Sequence, residues 1–338
     1  MYGWGGDTRD WKGSKRYDYG SARAKYDKAA TSAGLVGASA RTYDRRKEPD
    51  ASLTEALGKT ISSDSENPIV VAVDVTGSMS SWPGEIFDRL PLLYQTLAKY
   101  RPDTELAFAA IGDATSDRFP LQVTSFTKDI KELEKNLKAL GCEGNGGGQI
   151  KESYELFGYF MLHHCNTPKA KSPFLLIYGD EAFYSYVNSV QVKHYIGDDL
   201  ESNLSSKDMW SGLLQKFNLN FLQKPYGSDG NKSTTDEVKK VWANGIGLQR
   251  IIELPFKIEK EGGSTMPGYQ RAVDIGMGLI AKNWGEYKDF DLSLDARHKD
   301  ASVKASVHKS LRHIDADPVT TSVTKTSNKG SRLTKPLI

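Results

Sequence analysis

Three side chains with oxygen donors follow a run of β-branched residues within one short loop. Asp74, Thr76 and Ser78 alternate along that loop, and Gly77 between the two hydroxyl residues lets it curl. Asp180 follows a second long apolar run in the same way. Small, hard oxygen ligands suit Mg²⁺, which takes near-octahedral coordination at about 2.0–2.1 Å and keeps several waters. The spacing therefore predicts a Mg²⁺ (or Mn²⁺) site where these two loops meet.

Buried strands that alternate with helices are the elements that would position these loops. Residues 69–73 and 174–178 are continuously apolar, as expected of strands buried on both faces, whereas 85–100 repeats apolar residues every three to four positions, as in a helix. This alternation predicts an α/β domain with a doubly wound, mostly parallel sheet. Ligands of such sheets bind outside the carboxyl ends of the strands, where Asp74 and Asp180 would lie. Further strands are expected at 105–111, 121–126, 219–222 and 249–254, and further helices at 128–140, 150–164, 235–242 and 271–282.

The segment that begins at Asp74 resembles the Asp-x-Ser/Thr-x-Ser motif of von Willebrand factor A (vWA) domains. In that family the motif ends the first strand of a Rossmann-like sheet and forms a metal-ion-dependent adhesion site (MIDAS). The resemblance covers about residues 67–282. It implies that Asp74, Thr76 and Ser78 are the metal ligands of the first loop and that Asp180 is the last ligand.

A glycine-rich loop lies between the two aspartates in the sequence, with five glycines at positions 141–148. The vWA family commonly supplies a threonine hydroxyl from a Gly-Gly-Thr turn in this middle loop. Here Gln149 stands in the position of that threonine. Its amide oxygen is the expected further ligand, either directly or through water.

The resemblance implies binding rather than catalysis, because in this family a carboxylate of a partner protein fills the open position of the metal. Intracellular vWA proteins often act as adaptors, many beside an AAA+ ATPase of the MoxR type, and such a partner is an expectation by analogy. Aromatic residues often anchor interfaces. The residues expected to contact the partner are Trp82, Glu181, Phe183, Tyr184 and Tyr186. The alternative that some of these aromatic rings pack beneath the loops stays open.

A metal-dependent phosphohydrolase is the alternative from a different class of protein. Residues 112–117 spell the Gly-Asp-x-x-x-Asp element of haloacid-dehalogenase-like phosphatases, in which Asp74 would resemble the nucleophile. Those enzymes normally carry a general acid two residues later, but Thr76 has no comparable proton to give. Their Gly-Asp element also follows the last strand of the sheet, whereas this one follows the second. We therefore favour a protein without enzymatic activity.

Composition limits the class of protein and its surroundings. The 338 residues are 38% hydrophobic and 26% charged, with a mean hydropathy of −0.51, and no stretch reaches the length of a membrane span. Two cysteines exclude a disulfide scaffold and a Cys-rich zinc module. The first residues lack the apolar core of a secretory signal. We therefore expect a cytoplasmic protein that does not bind a membrane.

The two ends of the chain differ in composition from its middle. Residues 1–66 are rich in Gly, Tyr and charge and poor in large aliphatic residues, so we expect a polar arm with little core. Residues 296–338 form a basic, Ser/Thr-rich tail with nine Lys or Arg against three Asp. The vWA-like domain is expected over 67–295. A second binding hypothesis is a scaffold or assembly protein that docks through its arm, and we do not favour nucleic acid as a partner.

Overall fold

The computed structural model describes residues 46–144 and 148–314. Within them the strands are β1 (Ile61–Ser62), β2 (Pro68–Asp74), β3 (Glu105–Ile111), β4 (Leu121–Val123), β5 (Lys151–Glu152), β6 (Cys165–Asn166), β7 (Phe174–Gly179), β8 (Ala182–Phe183), β9 (Tyr186–Val187), β10 (Leu204–Ser205), β11 (Asn218–Gln223), β12 (Ile251–Glu253), β13 (Lys257–Glu259) and β14 (Thr265–Pro267). The α-helices are α1 (Ala51–Thr54), α2 (Trp82–Tyr100), α3 (Ile130–Ala139), α4 (Tyr154–His163), α5 (Ser189–Tyr195), α6 (Ser206–Lys216), α7 (Lys232–Ile246), α8 (Tyr269–Trp284), α9 (Tyr287–Arg297) and α10 (Ala301–Leu311).

Six of the strands form a central sheet in the order β12-β11-β7-β2-β3-β4. Strand β2 pairs in parallel with β3 on one side and with β7 on the other. Strands β7, β11 and β12 continue the parallel arrangement, whereas β4 runs antiparallel to β3 at the far edge. All seven residues of β2 are buried, as expected for the middle strand of a sheet that is covered on both faces.

Helices cover both faces of this sheet. Ile69, Val71 and Val73 of β2 point into an apolar layer that contains residues of α2, α3, α8, α9 and α10. Val70 and Ala72 point into the opposite layer, with residues of α4, α5, α6 and α7. The prediction of an α/β fold with a mostly parallel central sheet is therefore confirmed. No helix among the described residues combines the length and the apolar character needed to cross a bilayer.

Packing begins earlier in the chain than residue 67. Strand β1 pairs with β6, and both Ala56 and Ile61 are buried in the layer that covers one face of the sheet. The Lys59 ammonium donates to the carbonyl oxygens of Leu53 and Val123, 2.6 Å away in each case. The expected boundary between residues 66 and 67 is therefore placed too late, because a few apolar anchors in a polar stretch suffice to pack it. The rest of the expected arm, residues 1–45, lies outside the described residues.

Packing also continues beyond residue 295. Helix α10 buries Val303, Val307 and Leu311, whose spacing of four places them on one helical face. The Lys282 ammonium donates to the carbonyl oxygens of Leu311 and Ile314 and so fixes the end of this helix. The expected basic tail from residue 296 therefore begins at the end of α9 and includes the packed helix α10, whose apolar residues are interspersed among polar and charged ones. Residues 315–338 lie outside the described residues.

Several element bounds also differ from the predicted ones. The helix expected at 150–164 begins at Tyr154, because Glu152 pairs with Phe183 in the short β5–β8 ladder. The helix expected at 235–242 extends over Lys232–Ile246, because the Asn231 side chain caps its first turn by accepting from the Thr234 N–H at 3.1 Å. Strand pairing and side-chain capping thus determine where these two helices begin, which the apolar periodicity of the sequence does not specify.

A buried cluster of charged side chains attaches α9 to α8. The Asp274 carboxylate accepts from the Arg271 guanidinium at 2.6 Å and from Arg297, and the ring of His298 lies 3.3 Å away. Although burial alone would raise the pKa of Asp274, the two guanidinium groups and His298 hold it well below its usual range. The carboxylate is therefore charged and fully paired in the folded protein.

Replacement of Asp274 by Ala should lower the free energy of unfolding by about 3–5 kcal/mol, because two buried guanidinium groups lose their counter-charge. Urea unfolding at pH 7 measures this loss. The control is Asp236→Ala, which breaks an exposed pair with Lys232 and should change stability far less. Equal effects of the two substitutions would contradict a stabilising role for the buried cluster.

Candidate functional site

The two loops predicted to hold a metal meet at the carboxyl edge of the sheet. Asp74 is the last residue of β2 and Asp180 follows β7, and these strands are direct neighbours with Val73 opposite Tyr178. The Ser78 hydroxyl donates to Oδ1 of Asp180 at 2.8 Å. One hydrogen bond therefore joins two loops that are 102 residues apart in the chain.

The first loop is held by its own aspartate. Oδ1 of Asp74 accepts from the backbone N–H of Thr76 at 2.9 Å and from the Thr76 hydroxyl at 2.6 Å. A 3₁₀ turn at Gly77–Met79 then brings the Ser78 hydroxyl to 3.4 Å from that of Thr76, while the Met79 side chain is buried in the core. Asp74 and Thr76 are buried and Ser78 is half-buried, so Ser78 is the one of these three side chains that reaches solvent.

A tyrosine that the sequence analysis did not single out completes the coordination of Asp74 by neutral donors. The buried Tyr154 hydroxyl donates to Oδ2 of Asp74 at 2.5 Å. This approach requires a glycine at position 179, since a Cβ there would lie 2.1 Å from the Tyr154 oxygen. Packing against Tyr154 therefore requires glycine before Asp180 in this chain, at the position where vWA domains usually have threonine.

Lys224 is a second residue that sequence reasoning missed. Its side chain is 1% exposed, and its ammonium donates to Oδ2 of Asp180 at 2.6 Å. Three carbonyl oxygens also accept from it, those of Ser78, Pro225 and Gly227, at 3.0, 3.0 and 2.9 Å. Lys224 directly follows β11, the neighbour of β7. The same rule that located Asp74 and Asp180 at strand ends would have found it.

Two buried glutamates add further acidic groups beside these aspartates. Glu152 and Glu181 are 1% and 4% exposed, and Oε2 of each has no hydrogen-bond partner among the described residues. Burial, followed by the charge of Asp74, raises the pKa of Glu152 to about 12 and that of Glu181 to about 8. Burial and the neighbouring Asp180 raise the pKa of Asp74 to about 7. Four acidic groups thus share one edge with a single described ammonium, that of Lys224, and the site favours either protons or a cation.

The structure does not bring Gln149 to the two aspartates. This exposed side chain donates through Nε2 to the Tyr184 hydroxyl at 2.6 Å and to the Thr115 hydroxyl at 3.2 Å. Both hydroxyls in turn donate to Asp113, at 3.2 and 2.5 Å respectively. The expectation that Gln149 is a metal ligand beside Asp74 is therefore corrected, because its amide belongs to the hydrogen-bond group around Asp113.

The Gly-Asp-x-x-x-Asp element is held together by its own hydrogen bonds. Oδ2 of Asp117 accepts from the backbone N–H of Asp113 at 2.8 Å, and Asp113 accepts from the N–H of Thr115 at 3.0 Å. A Cβ at position 112 would lie 2.6 Å from Oδ2 of Asp117, so Gly112 allows this close turn. These contacts give both aspartates a role in shaping the loop after β3.

Most residues expected to contact a partner lie inside the protein. The Trp82 ring is buried edge-on against Tyr269 with ring centroids 5.9 Å apart. The Phe183 ring is buried between Trp210 and Trp242, at 5.4 and 5.0 Å, because β8 turns it into the core. Trp82, Phe183 and the buried Glu181 are thus corrected as direct contact residues. Tyr184 is partly buried, and Tyr186 is 61% exposed.

The donors at this edge fit a small, hard cation only if hydroxyl oxygens take part. No group of three or more His, Cys, Asp or Glu side chains within residues 46–144 and 148–314 is arranged to hold a metal ion. Asp74 and Asp180 supply two carboxylates, and the hydroxyls of Thr76 and Ser78 lie between them along the hydrogen-bonded chain. This mixture of oxygen donors, completed by water, is one that Mg²⁺ accepts.

Comparison with known proteins gives distant structural neighbours. No family model matches the sequence, and no curated protein matches it. Two crystal structures of the pilus adhesin SpaC from Lactobacillus rhamnosus GG, one of them in an open conformation, are similar at 13% and 12% identity with TM-scores of 0.44 and 0.43. Each covers 69% of this chain, which spans 32% and 31% of the adhesin chain. A similarity this distant does not bear on function.

The loop that carries Tyr184 is fixed by one further buried acid. Oε2 of Glu155 in α4 accepts from the backbone N–H of Tyr184 at 3.0 Å. Burial raises the pKa of Glu155 to about 8. The folded protein therefore binds a proton here more tightly than the unfolded chain, in which the pKa is near 4.5.

Replacement of Glu155 by Gln should reduce the pH dependence of stability between pH 5 and 8. The contribution of a raised pKa is fully present below the unfolded value and is lost as the pH rises through the folded value, so wild-type stability should fall over this range. The substitution should remove up to about 1.4 kcal/mol per pH unit from that slope. Urea unfolding at several pH values measures it, and the exposed Glu237→Gln serves as control. Parallel curves for wild type and Glu155→Gln would contradict the raised pKa.

Proposed function

We propose that the protein is a cation-dependent protein-interaction module with a Rossmann-like, doubly wound sheet of vWA type. Asp74, Thr76, Ser78 and Asp180 would hold Mg²⁺ or Mn²⁺ at the carboxyl edge of the sheet. The observation that carries this proposal is the hydrogen bond from Ser78 to Asp180, which joins the two loops into one site. When bound, the cation supplies a coordination position that a carboxylate of a partner protein can fill.

The charge of the site supports a cation. The acidic groups of Asp74, Asp180, Glu152 and Glu181 are all buried, and Lys224 is the ammonium that pairs with one of them. A buried carboxylate without a counter-charge is costly, so a divalent cation or protons must compensate the excess. The half-buried Ser78 provides access from solvent.

The chain holds its candidate ligands in place before any cation arrives. Both oxygens of Asp74 are fixed by the donors of Thr76 and Tyr154. Both oxygens of Asp180 are fixed by Ser78 and Lys224. Little conformational freedom is then lost on binding, which favours affinity. The exposed ring of Tyr186, the first residue of β9, is available as an aromatic contact for a partner.

The resemblance to vWA domains also motivates the wider proposal of a cytoplasmic, non-enzymatic adaptor that works beside an AAA+ ATPase of the MoxR type.

We do not carry the phosphohydrolase forward as a second candidate. Asp113 and Asp117 take part in hydrogen bonds that shape their own loop, and Thr76 donates its hydroxyl to Asp74 rather than offering an acid.

Replacement of Ser78 by Ala should weaken the binding of Mg²⁺ and Mn²⁺ by about tenfold or more, because one ligand and the link to Asp180 are lost together. Isothermal titration calorimetry on chelator-treated protein measures the affinity. The control is Ser306→Ala, which removes another half-buried hydroxyl, on α10. An unchanged affinity in Ser78→Ala with a normal melting temperature would place the cation elsewhere.

The role of the cation in recognition is tested by capturing binding proteins from a native lysate in Mg²⁺ and in EDTA. A partner retained by wild type and by Ser306→Ala in Mg²⁺, but lost in EDTA and from Ser78→Ala, is the expected result. A partner that is insensitive to EDTA and to Ser78→Ala would remove the metal from recognition. Deletion of residues 1–45 in the same assay then tests docking through the N-terminal segment.

A further inference from the structure

The ammonium of Lys224 occupies a cage of oxygen atoms at the edge of the candidate metal site. Its four acceptors are Oδ2 of Asp180 and the carbonyl oxygens of Ser78, Pro225 and Gly227, all within 3.0 Å. The side chain is almost wholly buried. Such a set of hard oxygens is what a metal cation would otherwise require.

Lys224 and the proposed cation share Asp180. The ammonium binds Oδ2, whereas the Ser78 hydroxyl binds Oδ1, the oxygen that faces the first metal loop. Lys224 also holds the backbone of Ser78 itself. A cation on the Oδ1 side therefore lies close to a fixed positive charge, in a buried region where screening by water is weak.

Other internal lysines of the chain differ from Lys224 in their acceptors. Lys216 donates to the carbonyl oxygens of Met161, Leu162 and Cys165 at the end of α4. Lys59 likewise binds two carbonyl oxygens. The acceptors of Lys216 and Lys59 are backbone carbonyl oxygens, whereas Lys224 also forms a buried ion pair with Asp180, a proposed metal ligand.

We propose that Lys224 is an internal competitor of the divalent cation, whose ammonium supplies part of the positive charge that the site needs and so lowers its affinity for Mg²⁺ and Mn²⁺. This inference rests on the proposed function. Lys224 thus has two roles: it sets the cation affinity of the site and it positions Asp180. The loops of the site are accordingly held together by the ammonium whether or not a divalent cation is bound.

The test compares wild type with Lys224→Met and Lys224→Gln, with Lys216→Met as the matched control. Titration calorimetry with MgCl₂ and MnCl₂ gives the affinity, and thermal melts in EDTA and in Mg²⁺ give the stability of each variant. Removal of the ammonium should tighten cation binding by about tenfold or more, because the repulsion is lost and the full charge of Asp180 becomes available. Mg²⁺ should also raise the melting temperature of the Lys224 variants more than that of wild type or Lys216→Met.

The outcomes separate this inference from the proposed function. If wild type binds Mg²⁺ and the Lys224 variants bind it equally or more weakly, Lys224 is not a competitor, although the metal site stands. If only the Lys224 variants bind it, the competitor is established and the metal dependence of wild-type function is overturned. If no variant binds, both fail. A Lys224→Met protein that stays unfolded even in Mg²⁺ would also overturn the inference, since a divalent cation should replace the ammonium.

Discussion

The burial of more acidic than basic groups at one edge of the sheet is the constraint on which the candidate site depends. Asp180 is paired with Lys224, but Asp74 is held by neutral donors, and Glu152 and Glu181 each keep a buried oxygen without a partner among the described residues. Desolvation penalises each uncompensated charge by several kcal/mol. The folded chain must therefore bind protons or a cation at this edge to neutralise its buried carboxylates.

The core of the domain is shaped to maintain this arrangement. The parallel register of β2, β7 and β11 brings Asp74, Asp180 and Lys224 to one edge, although they come from distant parts of the chain. Behind them Trp242 stacks on Phe221 at 4.0 Å and donates from its indole nitrogen to the carbonyl oxygen of Glu181. Rigid aromatic packing thus fixes the loop after β7, which a preorganised site requires.

The sequence contains a clear signal for the fold and for half of the site. Continuous apolar runs identify β2 and β7, and Asp74 and Asp180 are predictable because each directly follows such a run. Glu152 carries no motif, since its importance arises from the charge of Asp74, 78 positions away in the chain. Lys224 follows a strand end as the aspartates do, but its pairing with Asp180, 44 positions away, is a tertiary contact that no motif signals. Burial of Trp82 and Phe183 was not predictable either, because an aromatic ring near a strand end packs inward or outward according to its neighbours. Helix α10 was not predicted because its three buried apolar residues are separated by Lys, Ser and His residues.

Protons, the Lys224 ammonium and a divalent cation are three ways to neutralise the acidic groups at this edge. The ammonium serves only some of them. The ammonium reaches Asp180 alone, while the donors to Asp74 are the uncharged groups of Thr76 and Tyr154. Asp74 and Glu152 therefore have no cationic partner among the described residues, and the pKa of each is raised. The half-buried Ser78 contacts both members of the Lys224–Asp180 ion pair, because its hydroxyl donates to Asp180 and its carbonyl oxygen accepts from Lys224. A cation held by Asp74 and Asp180, as proposed, would therefore share Asp180 with the ammonium and would take the place of protons at Asp74.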